Sequence, residues 1–238
     1  MVVNGKVKLC AVSIFSPIRR LRRGSYRIIS SIRKVSAKMV KPRTPLDVCK
    51  TPLTGDGSGE ASGALRISRG PVGTLVQVSG WAPDFDAVSA PTLERLGLSG
   101  LGEFNQAQVG THCICFRTAP NRLLIWQKES GDVLAQLEAV DSAVSPILEL
   151  SHGRVRITVE GSQAQDLMTR LSTIDFRDRA FSDLAFAQTE IHHTSCMIFR
   201  PQSGTYELLI PTSYAHSLWE FILDVARPFG LSKDETDS

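Results

Sequence analysis

Long hydrophobic runs are absent. No stretch of the 238 residues reaches the ~18 apolar positions of a membrane-spanning helix, which excludes a helical span. Cysteine is scarce as well. Cys10, Cys49, Cys113, Cys115 and Cys196 are odd in number and widely spaced, unlike the dense, even set of a secreted disulfide framework. They point to a reducing compartment. Acidic residues are missing altogether from residues 1–46, which carry twelve Lys and Arg. The remaining 192 residues hold fifteen basic and twenty-four acidic groups, a net charge of −9. There is no Gly-x-Gly-x-x-Gly, P-loop, Gly-x-Ser-x-Gly, Cys-x-x-Cys or His-Glu-x-x-His. The familiar nucleotide cradles, the hydrolase elbow and the common zinc spacings are thereby excluded.

What is present is a basic leader on an acidic body. Within 1–46, Ile14, Ile18, Leu21, Ile28, Ile32 and Val35 recur at helical spacing between Arg and Lys, but Pro17 and Gly24 interrupt the stripe. An acid-free, Arg- and Ser-rich leader fits a transit peptide, a membrane-surface helix or an arm along nucleic acid phosphates. The reading favoured here is an in-frame extension upstream of a start at Met39. The −9 body argues against nucleic acid as partner.

Residues 47–72 are rich in Gly and Ser and read as a linker, with ordered structure expected from about Gly73. From there short strands alternate with amphipathic helices. Thr74–Ser79 reads as a strand, Pro91–Leu96 as a short helix with Pro at its start, and Gly131–Val140 as a helix. Thr111–Arg117 and Arg122–Trp126 read as strands joined by Thr118-Ala119-Pro120-Asn121. In the second half, Val155, Ile157 and Val159 alternate with polar residues as in a half-buried strand. Ala164, Leu167, Met168 and Leu171 give a helix stripe, with Ser162 placed to cap it. Thr194–Arg200 and Tyr206–Ile210 read as a strand pair, and Pro211-Thr212-Ser213 opens a last helix through Val225.

The halves share letters. Thr111-x-Cys113-x-x-Phe116-Arg117 matches Thr194-x-Cys196-x-x-Phe199-Arg200, and Leu123-Leu124-Ile125 matches Leu208-Leu209-Ile210. The expectation is an α+β fold of duplicated β-α-β-β-α units with mainly antiparallel sheets, 73–145 forming one half and 146–230 the other. Residues 231–238 make an acidic tail.

Chemistry is sparse. Cys113 and Cys115 share a strand face and His192 and His193 should point to opposite faces, but Cys-x-Cys in an apolar strand reads as core packing, so no metal site is assigned. Ser151-His152 reads as a turn rather than a nucleophile–base pair. Asp175-Phe176-Arg177-Asp178-Arg179 reads as a loop, either solvated or docking a partner. No catalytic constellation emerges.

The run Leu148-Glu149-Leu150-Ser151-His152-Gly153-Arg154-Val155-Arg156-Ile157-Thr158-Val159-Glu160-Gly161 resembles the centre of the gamma subunit of heterotetrameric sarcosine oxidase. The likeness continues through Ile174-Asp175, Arg179-Ala180-Phe181, Ala187-Gln188-Thr189 and Tyr206-Glu207-Leu208 to Ser217-Leu218-Trp219-Glu220. It is looser before residue 146, and it departs at Ser182-Asp183-Leu184, where the family usually has Pro and Gly. That family is in turn similar to the folate-binding aminomethyltransferase of glycine cleavage, here through Gly161-x-x-Ala164 and Gly204-Thr205-Tyr206-Glu207. The resemblance implies a subunit of an oxidoreductase that demethylates sarcosine and passes the one-carbon unit to tetrahydrofolate, this chain being noncatalytic. FAD, FMN, NAD and zinc then belong to alpha, beta and delta partner subunits in the cytoplasm. Tyr206 and Glu207 take the folate-like position, and Arg177, Arg179 and Phe181 become candidate interface residues. An N-methylglutamate dehydrogenase-type complex and a stand-alone folate-binding protein are the alternatives.

Overall fold

The computed structural model describes residues 45–48, 53–54, 64–81, 85–129, 131–138 and 145–229. The basic leader up to residue 44 and the acidic tail lie outside them.

Alternation of apolar and polar residues builds two sheets. The first contains β1 (Leu53–Thr54), β2 (Arg66–Gly70), β8 (Arg154–Glu160), β9 (Phe186–Ile191), β10 (Thr194–Gln202) and β11 (Thr205–Pro211), in the order β1-β2-β8-β11-β10-β9. The second contains β3 (Thr74–Ser79), β4 (Gln108–Val109), β5 (Ile114–Ala119), β6 (Arg122–Gln127) and β7 (Ile147–Glu149), in the order β4-β5-β6-β3-β7. Every pairing of these strands is antiparallel.

Each strand sends alternate residues to opposite faces, and both faces of both sheets are used. Val155, Ile157, Val159, Leu208 and Ile210 pack against α3 (Ala164–Leu171) and α4 (Ala215–Ala226). Val76, Val78, Leu123 and Ile125 pack against α1 (Phe85–Arg95) and α2 (Val133–Glu138). The inner faces meet in a third cluster, where Leu75, Phe116, Leu124 and Trp126 face Phe186, Met197, Phe199 and Leu209. The result is four layers, helix–sheet–sheet–helix. Phe116 is its hub, with its ring edge-on to Phe186 and to Phe199 at 5.1 Å each.

Several expectations need correction. Ordered structure begins before Gly73: Arg66–Gly70, inside the segment taken for a linker, is β2, paired with β8 along its length. Leu65 and Ile67 are buried, and so is Leu46 at the end of the leader. The first helix starts at Phe85, so Pro91 sits within it rather than at its start. Its buried stripe of Phe85, Ser89, Thr92 and Leu93 is half polar and therefore unreadable as an apolar pattern. Ser89 is tolerated there because its hydroxyl donates to the Phe85 carbonyl at 2.6 Å. Ser162 caps nothing: α3 begins after Gln163, with no side-chain cap. His192 and His193 are not strand residues. They form the two-residue turn between β9 and β10, both with positive φ, 46° and 60°.

Candidate functional site

The inner faces of the sheets are apolar at their centre and polar towards both ends, with Gln77, Thr118, Arg154, Gln188 and Ser195 around a small gap at one end and Lys128 and Glu207 at the other. On β6 the alternation that turns Leu124 and Trp126 inward carries Lys128, just past the strand, to the same side. On β11 Glu207 points inward between Phe199 of β10 and Thr158 of β8, its cross-strand neighbours. The two meet across the gap, with Lys128 Nζ donating to Glu207 Oε1 at 2.8 Å. The ammonium also lies 4.9 Å from the Trp126 ring centroid and 5.7 Å from that of Phe199. Glu207 is 8% exposed and Lys128 29%, and Glu207 Oε2 is buried with no hydrogen-bond partner among the described residues.

Beside the pair opens a groove of about 590 Å³, whose walls include Thr111, His112, Lys128, Glu129 and Asp132. Gly73 closes the chain over this end of the sheet. Its φ is +79°, and a Cβ there would come within 2.2 Å of the Gln127 carbonyl, so only glycine lets the crossing lie this close.

Tyr206 does not share the site with Glu207. Adjacent residues on a strand face opposite ways, and the Tyr206 ring is buried on the helix side against Phe176 and Phe181 at 5.6 and 6.5 Å. Burial pushes its phenol up from the ordinary value, with nearby Arg200 pulling the other way. Tyr206 and Glu207 therefore do not fit a common pterin site.

The candidate interface loop also divides. Arg177 is exposed and forks onto Asp175, donating from Nε at 2.7 Å, and this holds the Asp175 carboxyl down at about 2. Arg179 is exposed and makes no ion pair among the described residues. Phe181 is buried, only 4% exposed, stacked in the core and unable to anchor a partner. What fixes the loop is Arg200, a buried guanidinium donating to the Phe181 carbonyl at 2.5 Å and to Asp178 at 2.6 Å. Its sequence counterpart Arg117 does the same work in the other half, donating to the carbonyls of Gly102 and Pro120. The shared Phe116-Arg117 and Phe199-Arg200 letters thus held the signal for Arg200, which the sequence reading did not single out.

The three described cysteines, Cys113, Cys115 and Cys196, sit in the helix-side cores. Burial pushes the thiols of Cys115 and Cys196 up to about 12, and raises Cys113 as well. Among the described residues, no three His, Cys, Asp or Glu gather where they could hold a metal ion. No described helix is long and apolar enough to cross a membrane.

Comparison with known proteins gives a fold. A chain of the heterotetrameric sarcosine oxidase from Corynebacterium sp. U-96, solved with pyrrole 2-carboxylate, superimposes with a TM-score of 0.67. The match covers 81% of this chain and 98% of that one at 16% identity. Aminomethyltransferase T of the Bartonella henselae glycine cleavage system matches with a TM-score of 0.47 over 65% of this chain and 44% of that one, at 17% identity. No family model matches, and no curated protein matches. The fold is related to that of the sarcosine oxidase chain.

Proposed function

We propose that this chain is a noncatalytic, gamma-type subunit of a heterotetrameric oxidoreductase acting on sarcosine or a similar N-methyl amine. The observation that carries the reading is the extent of the match. It spans nearly all of a chain belonging to a heterotetrameric sarcosine oxidase, and that chain is about four-fifths as long as this one. The likeness is thus to a whole small subunit and not to a domain within a larger one. In this reading alpha, beta and delta partners carry FAD, FMN, NAD and zinc, the one-carbon unit passes to tetrahydrofolate in a partner, and the complex is cytoplasmic.

A second feature supports the scaffold role over stand-alone folate binding. The carboxylate in the folate-like position, Glu207, is already neutralised by Lys128. We also read the two halves as a duplication. Strand, helix, three strands and helix, one strand more than the expected β-α-β-β-α unit, follow one another both from β3 to α2 and from β8 to α4. The sheet orders β4-β5-β6-β3 and β9-β10-β11-β8 correspond, and the equivalent Phe116 and Phe199 touch.

Co-expression with alpha, beta and delta chains of a sarcosine oxidase, followed by size-exclusion chromatography, tests the assignment. The expected result is co-elution in one assembly that oxidises sarcosine. A chain that elutes alone while the other three assemble would overturn it. Within that assay, Arg179→Glu should weaken co-elution with little change in melting temperature, because Arg179 is exposed and makes no ion pair among the described residues.

A further inference from the structure

The surroundings of the Lys128 ammonium are those of a ligand site. Two aromatic faces lie within the ~6 Å at which a ring quadrupole attracts a cation, at 4.9 Å for Trp126 and 5.7 Å for Phe199. A carboxylate lies at hydrogen-bond distance, 2.8 Å, and its second oxygen is buried and unpartnered among the described residues. Trp126 and Phe199 are fully buried, so the walls are rigid, and they come from different sheets. Lys128 and Trp126 line the groove of about 590 Å³, which gives a small cation its approach to their side of the cage.

We propose that Trp126, Phe199 and Glu207 form a binding site for a small alkylammonium ion, and that Lys128 fills this site from within the chain. Two rings and one carboxylate recognise a compact cation with at least one N–H. The carboxylate needs that donor, and the free Glu207 oxygen accepts a second one from a primary or secondary amine. A quaternary ammonium has no N–H to give, and a metal ion would want more oxygen ligands than the single carboxylate supplies. Lys128 is a tethered primary ammonium of the right kind. Its effective concentration at the cage, set by a four-carbon stem, keeps free amines out of the intact protein.

Removing the tethered occupant should therefore open the cage to a free one. In the full-length chain, Lys128→Ala leaves Glu207 buried without a counter-charge, and its Tm should fall by roughly 5–10 °C. Methylammonium chloride at ~100 mM should restore roughly half of that loss, while potassium chloride or tetramethylammonium chloride at equal ionic strength should not. Wild type should show no such difference among the three salts. The double variant Lys128→Ala/Glu207→Gln should be indifferent to methylammonium, since its carboxylate is gone. If Lys128→Ala does not fold when expressed, refolding yield in methylammonium against potassium chloride reads the same site. A response to methylammonium no greater than to potassium chloride, in stability or in refolding yield, would overturn the proposal. So would an equal response in the double variant.

Discussion

At the scale of single residues, a side chain's meaning here is set by the strand face it occupies, and the loop 175–184 shows the consequence. Arg177, Arg179 and Phe181 stand close together in sequence, yet the first two are solvated and the third is core, packed edge-on to Phe176 at 5.3 Å. A Phe181→Ala change leaves a cavity against Phe176 and Tyr206, and large aromatic truncations in cores cost about 3–5 kcal/mol. Urea unfolding of the variant should show a loss of that order with m little changed. A loss below about 1 kcal/mol would place Phe181 on the surface after all. The sequence held part of this distinction. An aromatic flanked by charges looks like an interface anchor, and only the returning strand β11, which brings Tyr206 beneath the loop, makes it core.

At the scale of elements, regular patterns were legible and mixed ones were not. Val155-x-Ile157-x-Val159 and the stripe of α3 announce themselves because every position they turn to the helix-side core is apolar, the buried Thr158 facing the other way. Arg66–Gly70 does not, because Ile67 alone of its five residues is fully buried and Arg, Ser and Gly fill the rest. The β9–β10 turn is the sharper case. A two-residue hairpin turn with both φ positive prefers Asn-Gly, and this one is built from His192 and His193. Its cost is partly offset by the His192 ring stacking on Phe221 of α4 at 4.3 Å. His193 is exposed and has no such support beyond a tilted neighbour at 5.9 Å. Replacing it by glycine removes the left-handed penalty and should raise stability by about 0.5–1 kcal/mol, less than the 1–2 kcal/mol of the full penalty because glycine also loosens the unfolded chain. Thermal melts of His193→Gly should show a rise of roughly 1–4 °C. A fall would mean that the imidazole makes a contact worth more than the strain.

At the scale of the whole molecule, the two sheets and their helices look separable in sequence, since each half carries its own strand–helix pattern. The structure joins them through a shared inner core and an edge stitch. Ala107 donates to the Leu184 carbonyl at 2.8 Å, and Phe186 donates to that of Asn105 at 3.0 Å. Every ring around Phe116 except Trp126 belongs to the other sheet. Neither half can therefore expose its inner face without losing apolar surface that the other half covers, and the two should unfold together. Intrinsic tryptophan fluorescence and far-ultraviolet circular dichroism report on this from different places. Trp126 lies between the sheets, Trp219 is on the buried face of α4, Trp81 is already exposed, and the dichroism sees both halves. In wild type the two probes should give one coincident transition in urea. Phe116→Ala removes the hub of the shared core and should cost about 3–5 kcal/mol, most of it in the coupling between halves. The variant should then show fluorescence and dichroism transitions that separate, with a lower apparent m for each. Separate transitions already in wild type would show that the halves are independent domains that merely touch. Coincident transitions in the variant would show that the edge stitch alone suffices to couple them.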